Sequence, residues 1–477
     1  MQKKSLIWFR QDLRVSDNSA LWYALQNQTT IALVILSPAQ WQQHHDAAIK
    51  IDFYLRQLQQ LKQQLQKLNI PLQIEVIPWW RDIANFICEF CSKHDIQNVY
   101  GNIDIGINEL QRDAIVQKKL NKINKDFILY HDRTIFPLGS IRNQNQQPYQ
   151  VFSAFKKKCI EQLIISLPQP FLQPEAQSSV QNAEQFTAEI PTLEELTGNT
   201  IPIEKQALWP VGESYAQDML NNFIQDHIQD YHLKRDFPAS KGSSLLSPYL
   251  NSGLLSIRQC LAALFKTNNA QFHIYHQGQE TWLNELIWRE FYQHILYSFP
   301  RLSRYQPFKL NTQHIPWRHA DLDFEAWKLG QTGIPIVDAG MRQLLATGWM
   351  HNRVRMITAM FLTKNLLIDW RQGEQWFMQN LIDGDLAANN GGWQWCASTG
   401  TDAVPYFRIF NPISQSEKFD PNGDYIRQWL PELAHLNAKT IHQPYAKNPH
   451  IALKYPQPIV DLKQSRLRTI DIFKTHS

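Results

Sequence analysis

Strand-sized apolar runs alternate with helix-length amphipathic stretches through the first 130 residues, and that alternation leaves few folds open. Residues 5–9 and 31–36 are short and apolar, as buried strands are. From Ile51, the apolar residues Tyr54, Leu55, Leu58, Leu61, Leu65 and Leu68 fall at helical spacing. Residues 18–25 and 83–90 read as further helices, residues 72–77 as a strand, and 99–100 and 127–130 as short strands around another helix. Strands that alternate with helices are joined by crossovers. Residues 1–130 are therefore expected to form an α/β domain with a doubly wound parallel sheet, whose ligands bind beyond the carboxyl ends of the strands. No G-x-G-x-x-G follows a strand and no G-x-x-x-x-G-K-[ST] occurs, so neither a dinucleotide fingerprint nor a P-loop is supported.

The character of the chain changes twice more. Residues 131–205 are rich in Gln, Pro, Asn and Ser, with a basic knot at Lys156, Lys157 and Lys158, and read as an interdomain connection. From 206 to 477 helical periods prevail, which predicts a mostly α domain. Its strongest helix spans 279–298, where Trp282, Glu285, Arg289 and Tyr292 share a face, Trp288 lies off that face, and Pro300 ends the run. Further helices are expected over 338–345, 351–367 and 374–381.

Composition narrows the class. Of 477 residues, 43% are hydrophobic and 19% charged, ordinary for a soluble globular protein. Net charge of +4 neither requires nor forbids nucleic acid, since a local basic patch can sit in a near-neutral total. Arg10, Asp12 and Arg14 interrupt the apolar run behind the basic Met1–Lys4 tip too early for a signal peptide, and runs such as 31–36 and 356–362 are too short to cross a bilayer. The five cysteines are sparse and odd in number, which fits a reducing, cytoplasmic setting. Cys88 and Cys91 form a C-x-x-C inside a helical pattern and read as core packing; no metal is expected.

Three stretches carry polar groups that could do chemistry. Asp383-Gly-Asp385-Leu-Ala-Ala-Asn389-Asn390-Gly-Gly-Trp393-Gln-Trp395 puts carboxylates and carboxamides beside large aromatic faces. Its Gly and Asn content predicts a tight ordered loop rather than a helix interior, suited to a planar heteroaromatic ligand; the alternative is an Asn/Asp turn between core Trp residues. Residues 235–248 form a hydroxyl-rich turn whose amides and hydroxyls could hold phosphate, or simply a helix start with Ser before Pro. In His351-Asn352-Arg353-Val354-Arg355-Met356, Asn352 and Met356 share a helix face; Arg353 could meet a phosphate, and Arg355 could pair with an acid such as Asp383. Trp317, Trp370 and Trp393 are core residues by default, and nothing in their spacing makes them a chain.

Taken together, Ile7-Trp-Phe-Arg-Gln-Asp-Leu-Arg14, Trp282-Leu-Asn-Glu-Leu-Ile-Trp-Arg-Glu-Phe-Tyr292, Thr347-Gly-Trp-Met-His-Asn-Arg353, residues 383–395 and Tyr406-Phe-Arg-Ile-Phe-Asn-Pro412 resemble the DNA photolyase and cryptochrome family. Within it they look most like class I cyclobutane pyrimidine dimer photolyases. The likeness runs nearly end to end and is weakest in the connection. It implies an N-terminal α/β antenna domain and a helical C-terminal domain holding FAD, and an enzyme that repairs pyrimidine dimers in ultraviolet-damaged DNA by light-driven electron transfer. The alternative within the family is a blue-light receptor without repair.

The resemblance also implies residue roles. FAD contacts correspond to Tyr231, Ser243, Ser244, Leu245, Leu246, Ser247, Trp282, Arg289, Arg355, Asp383 and Asp385, with Asn389 facing flavin N5. Leu245 departs from the Arg that many relatives carry there. Glu285 and Asn352 match the pair that hydrogen-bonds the dimer, Met356 lies under it, and Trp288 and Trp395 match its aromatic walls. Trp393, Trp370 and Trp317 match the electron-hopping triad, inner to outer. Arg235, Arg353 and Lys418 would meet DNA phosphates. Asn108 and Glu109 match the pair that holds a methenyltetrahydrofolate antenna, with Arg304 where some relatives have Lys. Asn389 and the short stretch after residue 465 favour repair over signalling, and a monomer is expected.

Overall fold

The computed structural model describes residues 4–26, 29–266, 271–446 and 454–476; the basic tip Met1–Lys3 lies outside them. The described chain divides into two compact units, the first formed by 1–226, 244–275 and 283–300, the second by 227–243, 276–282 and 301–477.

The first unit is built on five parallel strands, β1 (Lys4–Phe9), β2 (Thr29–Leu36), β3 (Leu72–Val76), β4 (Ile96–Asn102) and β5 (Asp126–Tyr130), in the order β3-β2-β1-β4-β5. This is the doubly wound sheet that the alternation predicts. Side chains of a strand point to alternate faces, and here both faces are covered. Ile7 and Phe9 of β1 join Val34, Leu58, Leu61 and Leu65 on one side, while Leu6 and Trp8 join Leu33, Ile83, Ile87 and Val116 on the other. The central strands β1 and β2 are accordingly mostly apolar, while β3 and β4 carry Gln73, Glu75, Gln97 and Asn98 as well. Cys91 is fully buried in the second of these cores and burial pushes its thiol up to about 12, so the C-x-x-C packs rather than reacts.

Residues 131–205 hold more structure than their composition suggests. The helix Phe152–Ile165 buries Phe155, Cys159 and Leu163, and Thr192 with Glu195 forms a capping box on Leu193–Thr197. Apolar residues spaced along a Gln- and Lys-rich run are enough to anchor a helix once a core is available to receive them.

Beyond the carboxyl ends of the strands lies a buried charge cluster. Asp132, just past β5, takes ion pairs from Arg14 and from Arg258 (2.7 Å), and Arg258 also pairs with Asp17 (2.9 Å). All four side chains are at most 8% exposed. Arg14 also donates to the Gly253 carbonyl (2.9 Å), where a Cβ at Gly253 would lie 2.3 Å from the Gln11 carbonyl. Glu290 ties the next stretch by accepting from the Ile135 and Phe136 amides at 2.8 and 3.0 Å.

The second unit is helical. The helices Pro335–Thr347, Asn352–Met360, Trp370–Met378, Leu386–Ala397 and Leu462–His476 surround a core that includes Trp327, Trp370 and Trp393. Asn352–Met360 continues as a π-helical turn over Phe361–Asn365. Among the described residues no helix is long and apolar enough to cross a membrane.

Burial alone would raise the pKa of Asp132, but Arg14 and Arg258 outweigh it and hold the carboxyl well below the usual carboxylate range. Its stabilising contribution is therefore present above about pH 4, the ordinary Asp value, and is lost as pH falls further toward the depressed folded value. Asp132→Asn leaves two buried guanidiniums short of a counter-charge and is expected to cost about 3–5 kcal/mol, read at neutral pH by urea unfolding.

Candidate active site

The helix Leu386–Ala397 runs through the stretch that composition marks as a loop. Asp385 is its N-cap, accepting from the Ala388 amide at 2.8 Å. The carboxamides that would compete with a helix are bound elsewhere. Asn390 accepts from Gln394 (2.8 Å), and the Asn389 amide nitrogen donates to the Glu374 carbonyl and carboxylate at 2.9 and 3.0 Å. Burial of Trp393, Cys396 and Ala397 supplies the packing that Gly and Asn lack in propensity.

Glu374 is a member of this site that the sequence reading missed. It lies on Trp370–Met378, is fully buried, and has one carboxylate oxygen without a protein partner. Burial pushes its pKa up to about 7, only partly offset by the Asn389 hydrogen bond. With the amide nitrogen of Asn389 held by Glu374, the Asn389 carbonyl oxygen is left as the acceptor. One residue before Glu374, Gly373 meets the Trp393 ring so closely that a Cβ would lie 2.2 Å from it. Helix spacing alone does not mark Glu374, because a lone Glu in an amphipathic helix is usually solvated.

Arg355 and Asp383 pair as the sequence allows, with Nη2 donating to both carboxylate oxygens at 3.0 and 2.8 Å. His351 caps the same helix: its Nδ1 accepts from the Arg353 amide (3.2 Å), and burial holds the imidazole down to about 4, hence neutral. Asn352 is exposed at the start of this helix and Met356 sits one turn on along the same face.

Two of the three basic residues assigned to DNA, Arg353 and Lys418, share one aromatic ring. The Arg353 guanidinium lies 4.4 Å and the Lys418 ammonium 5.1 Å from the centre of Phe419. Arg353 is also paired with Asp236 (2.8 Å), which is 3.8 Å from Arg235. Trp370 and Trp393 are buried, while Trp317 is half-buried and packs near Phe473. Trp395 is half-buried against the helical core.

The helix Gln277–Ser298 carries Trp282, Glu285, Trp288 and Arg289. Trp288 stacks with Phe152 (3.5 Å between centroids, 5°) and lies 5.7 Å from the Tyr292 ring, so it belongs with Tyr292 through a step of four rather than lying apart from it. Arg289 donates to the carbonyls of Arg133 (2.7 Å) and Leu250 (3.5 Å).

In the hydroxyl-rich turn, Gly242 passes so close to the Lys234 carbonyl that a Cβ would lie 2.5 Å from it. Leu245 holds a left-handed backbone (φ 54°), which a residue without β-branching tolerates only under constraint. The short helix Ser247–Asn251 follows, with Leu246 rather than Ser247 in the capping position and Pro248 in the first turn. Tyr231 is buried beneath the Arg235 guanidinium, 5.4 Å away.

Asn108 and Glu109 open the helix Ile107–Asn121 beyond β4. The structure adds His44, 2.9 Å from the Asn108 amide nitrogen and edge-on to Trp80, and Arg112, 4.6 Å over the Trp80 ring. Burial and the neighbouring Asp104 push Glu109 up to about 7. Gly106, at φ 130°, leaves room for the Glu109 carboxylate, which a Cβ would meet at 2.3 Å.

A carboxyl raised by burial favours the folded state below its ordinary pKa of about 4.3 and loses that advantage as pH rises through its folded value near 7. Glu374→Gln is expected to flatten this fall, gaining about 2–3 kcal/mol relative to the parent at pH 8 over pH 4.5. Thermal melts of both proteins across that range test it.

Comparison with known proteins agrees with these features. Residues 5–175 match the family described as DNA photolyase, and residues 282–475 match the FAD binding domain of DNA photolyase. The chain is 44% identical, over 99% of its length and 97% of the relative's, to the deoxyribodipyrimidine photo-lyase of Buchnera aphidicola subsp. Acyrthosiphon pisum. It is 41% identical, over 98% of both chains, to that of Escherichia coli. Its fold superposes on a class III photolyase from Agrobacterium tumefaciens (TM-score 0.84, 33% identity, 100% and 98% covered). It also superposes on a cryptochrome from Synechocystis sp. PCC6803 (TM-score 0.86, 28% identity, 99% of each chain). An α/β sheet unit followed by a helical FAD-binding domain, matched almost end to end, places this chain in the DNA photolyase family.

Proposed function

We propose that the protein repairs cyclobutane pyrimidine dimers in ultraviolet-damaged DNA when illuminated. The observation that carries this reading is the identity of 41–44% with deoxyribodipyrimidine photo-lyases over 98–99% of the chain.

The residues present fit FAD. The donor set of Ser243, Ser244 and Ser247 with the close backbone at Gly242 suits phosphate oxygens. Tyr231, Leu245, Leu246, Trp282, Arg289 and the Arg355–Asp383 pair, with Asp385, complete the contacts assigned to the cofactor. Asn389 offers a neutral carbonyl oxygen, its amide turned toward Glu374, which suits the N–H of a reduced flavin without adding charge. When bound, reduced FAD supplies the light-driven electron donation that no side chain can.

The protein's part is to bind, orient and exclude water. Arg235, Arg353 and Lys418 contact phosphate without reading sequence. Photolyases act on a flipped nucleotide, a general property of such enzymes. Trp288 and Trp395 wall the lesion, Met356 lies beneath it, and Asn352 hydrogen-bonds its carbonyls. Glu285 holds a hydrogen bond to the dimer that strengthens as negative charge develops there. Trp393, Trp370 and Trp317 relay electrons inward, which the change from fully buried to half-buried along the series supports. Asn108 and Glu109, with His44 beside them, hold a folate antenna through its donor edge, and the protein acts as a cytoplasmic monomer.

Blue light on the reduced holoenzyme with thymine-dimer DNA is expected to restore thymine absorbance, with no recovery in the dark. Glu285→Gln should lower repair per absorbed photon about 10-fold or less, the size of one lost charge-assisted hydrogen bond, while FAD content is kept. Tight binding of damaged DNA without recovery would instead favour a damage-marking or receptor role.

A further inference from the structure

Arg353 carries its charge where a carboxylate has already claimed it. Its Nη2 donates to Asp236 Oδ1 at 2.8 Å, and the same carboxylate oxygen lies 3.8 Å from Arg235 Nε. All three residues belong to the second unit and face solvent: the side chains of Arg235, Arg353 and Asp236 are 21%, 19% and 36% exposed. The donors left to Arg353 are few. Its Nε is buried without a partner, so nothing from solvent reaches it, and Nη1 faces the Met356 sulfur at 3.9 Å. A phosphate that grips this guanidinium must therefore use the Nη nitrogens, and Asp236 holds one of them.

An acid in that position could serve to aim the two arginines or to withhold them. Other contacts already do the aiming. His351 accepts from the Arg353 amide through Nδ1, and its ring also hydrogen-bonds the Arg235 carbonyl. The Arg353 guanidinium rests on the Phe419 ring at 4.4 Å, and that of Arg235 on the Tyr231 ring at 5.4 Å. Both backbones and both side chains are thus placed without Asp236. What the carboxylate adds is negative charge against two cations. It is exposed enough to give up the pair without leaving a buried charge behind.

We infer that Asp236 stands in for a DNA phosphate in the DNA-free protein and is displaced from Arg353 when DNA binds, an inference that rests on the reading of Arg353 and Arg235 as phosphate contacts. Phosphate contacts supply essentially all of the binding to undamaged DNA. A carboxylate that competes for them lowers that binding, so Asp236 sets how weakly the protein holds undamaged or already repaired duplex. Dimer DNA meets the same competition but adds the contacts of the lesion itself.

The probe is an undamaged duplex, bound in the dark by the FAD-loaded full chain and followed by fluorescence anisotropy. Asp236→Asn keeps an oxygen for Arg353 and removes the charge. It is expected to tighten binding about 3- to 10-fold at low salt. The gain should shrink at high salt, and the slope of log Kd against log salt should steepen by about one. Asp236→Glu, which keeps the charge, should bind as the parent does. In a double-mutant cycle the gain should be largely lost beside Arg353→Ala and kept beside Lys418→Ala. FAD absorbance of each variant reports that the fold is intact. Weaker or unchanged binding by Asp236→Asn, while Arg353→Ala weakens it, overturns the inference alone and leaves Asp236 an orienting or idle surface partner. A gain that persists undiminished beside Arg353→Ala overturns it too, since the acid would then act on DNA without Arg353. Should Arg353→Ala bind as the parent does, the phosphate-contact reading fails and the inference falls with it.

Discussion

Placing two guanidiniums and two carboxylates together beyond a parallel sheet is expensive unless every one is matched. In the first unit they are: Arg14 and Arg258 converge on Asp132, and Arg258 also holds Asp17. Removing any one member leaves a buried charge without compensation. The cluster therefore locks the segment after β5, the segment after β1 and the turn before residue 258 as one assembly. Stable sheet cores come from apolar burial on both faces; the cluster decides how the loops at the carboxyl ends are held, and these loops are where such folds place function.

Chemistry in the second unit depends on keeping charge out rather than matching it. Glu374 is buried with a single amide for company, and burial raises its pKa to about 7, so that far more of it carries its proton near neutral pH than an ordinary carboxyl would. His351 is held neutral by burial and used as a cap. Asn389, fixed by Glu374, presents a carbonyl oxygen with no net charge. The Arg355–Asp383 pair is the exception, and there the carboxylate takes two hydrogen bonds from one guanidinium nitrogen.

Much of this was legible in the residues. The strands β1 and β2 follow from apolar runs of strand length, because a sheet covered on both faces demands them, and the other three lie where the alternation places short strands. The helix Gln277–Ser298 follows from steps of three and four; Pro335–Thr347 and Trp370–Met378 form where helices are expected, starting three and four residues earlier than the expected 338–345 and 374–381. Arg355 with Asp383 was an available pairing and is the one formed. Where local rules failed, tertiary packing had overridden them. Asn and Gly at 389–392 disfavour a helix in isolation, yet the buried Trp393 and the bonds to Glu374 and Gln394 hold one.

What the sequence by itself determined is the fold class, the order of the elements and the motifs that place the chain in its family, because periodicity and motif identity are properties of the linear chain. Only the tertiary structure decided that Glu374 orients Asn389, that His44 joins Asn108, and that Arg353 and Lys418 share the Phe419 ring. These are pairings between residues far apart in the chain. Their energies come from burial and from which groups are left to satisfy one another, and neither exists until the chain has closed on itself.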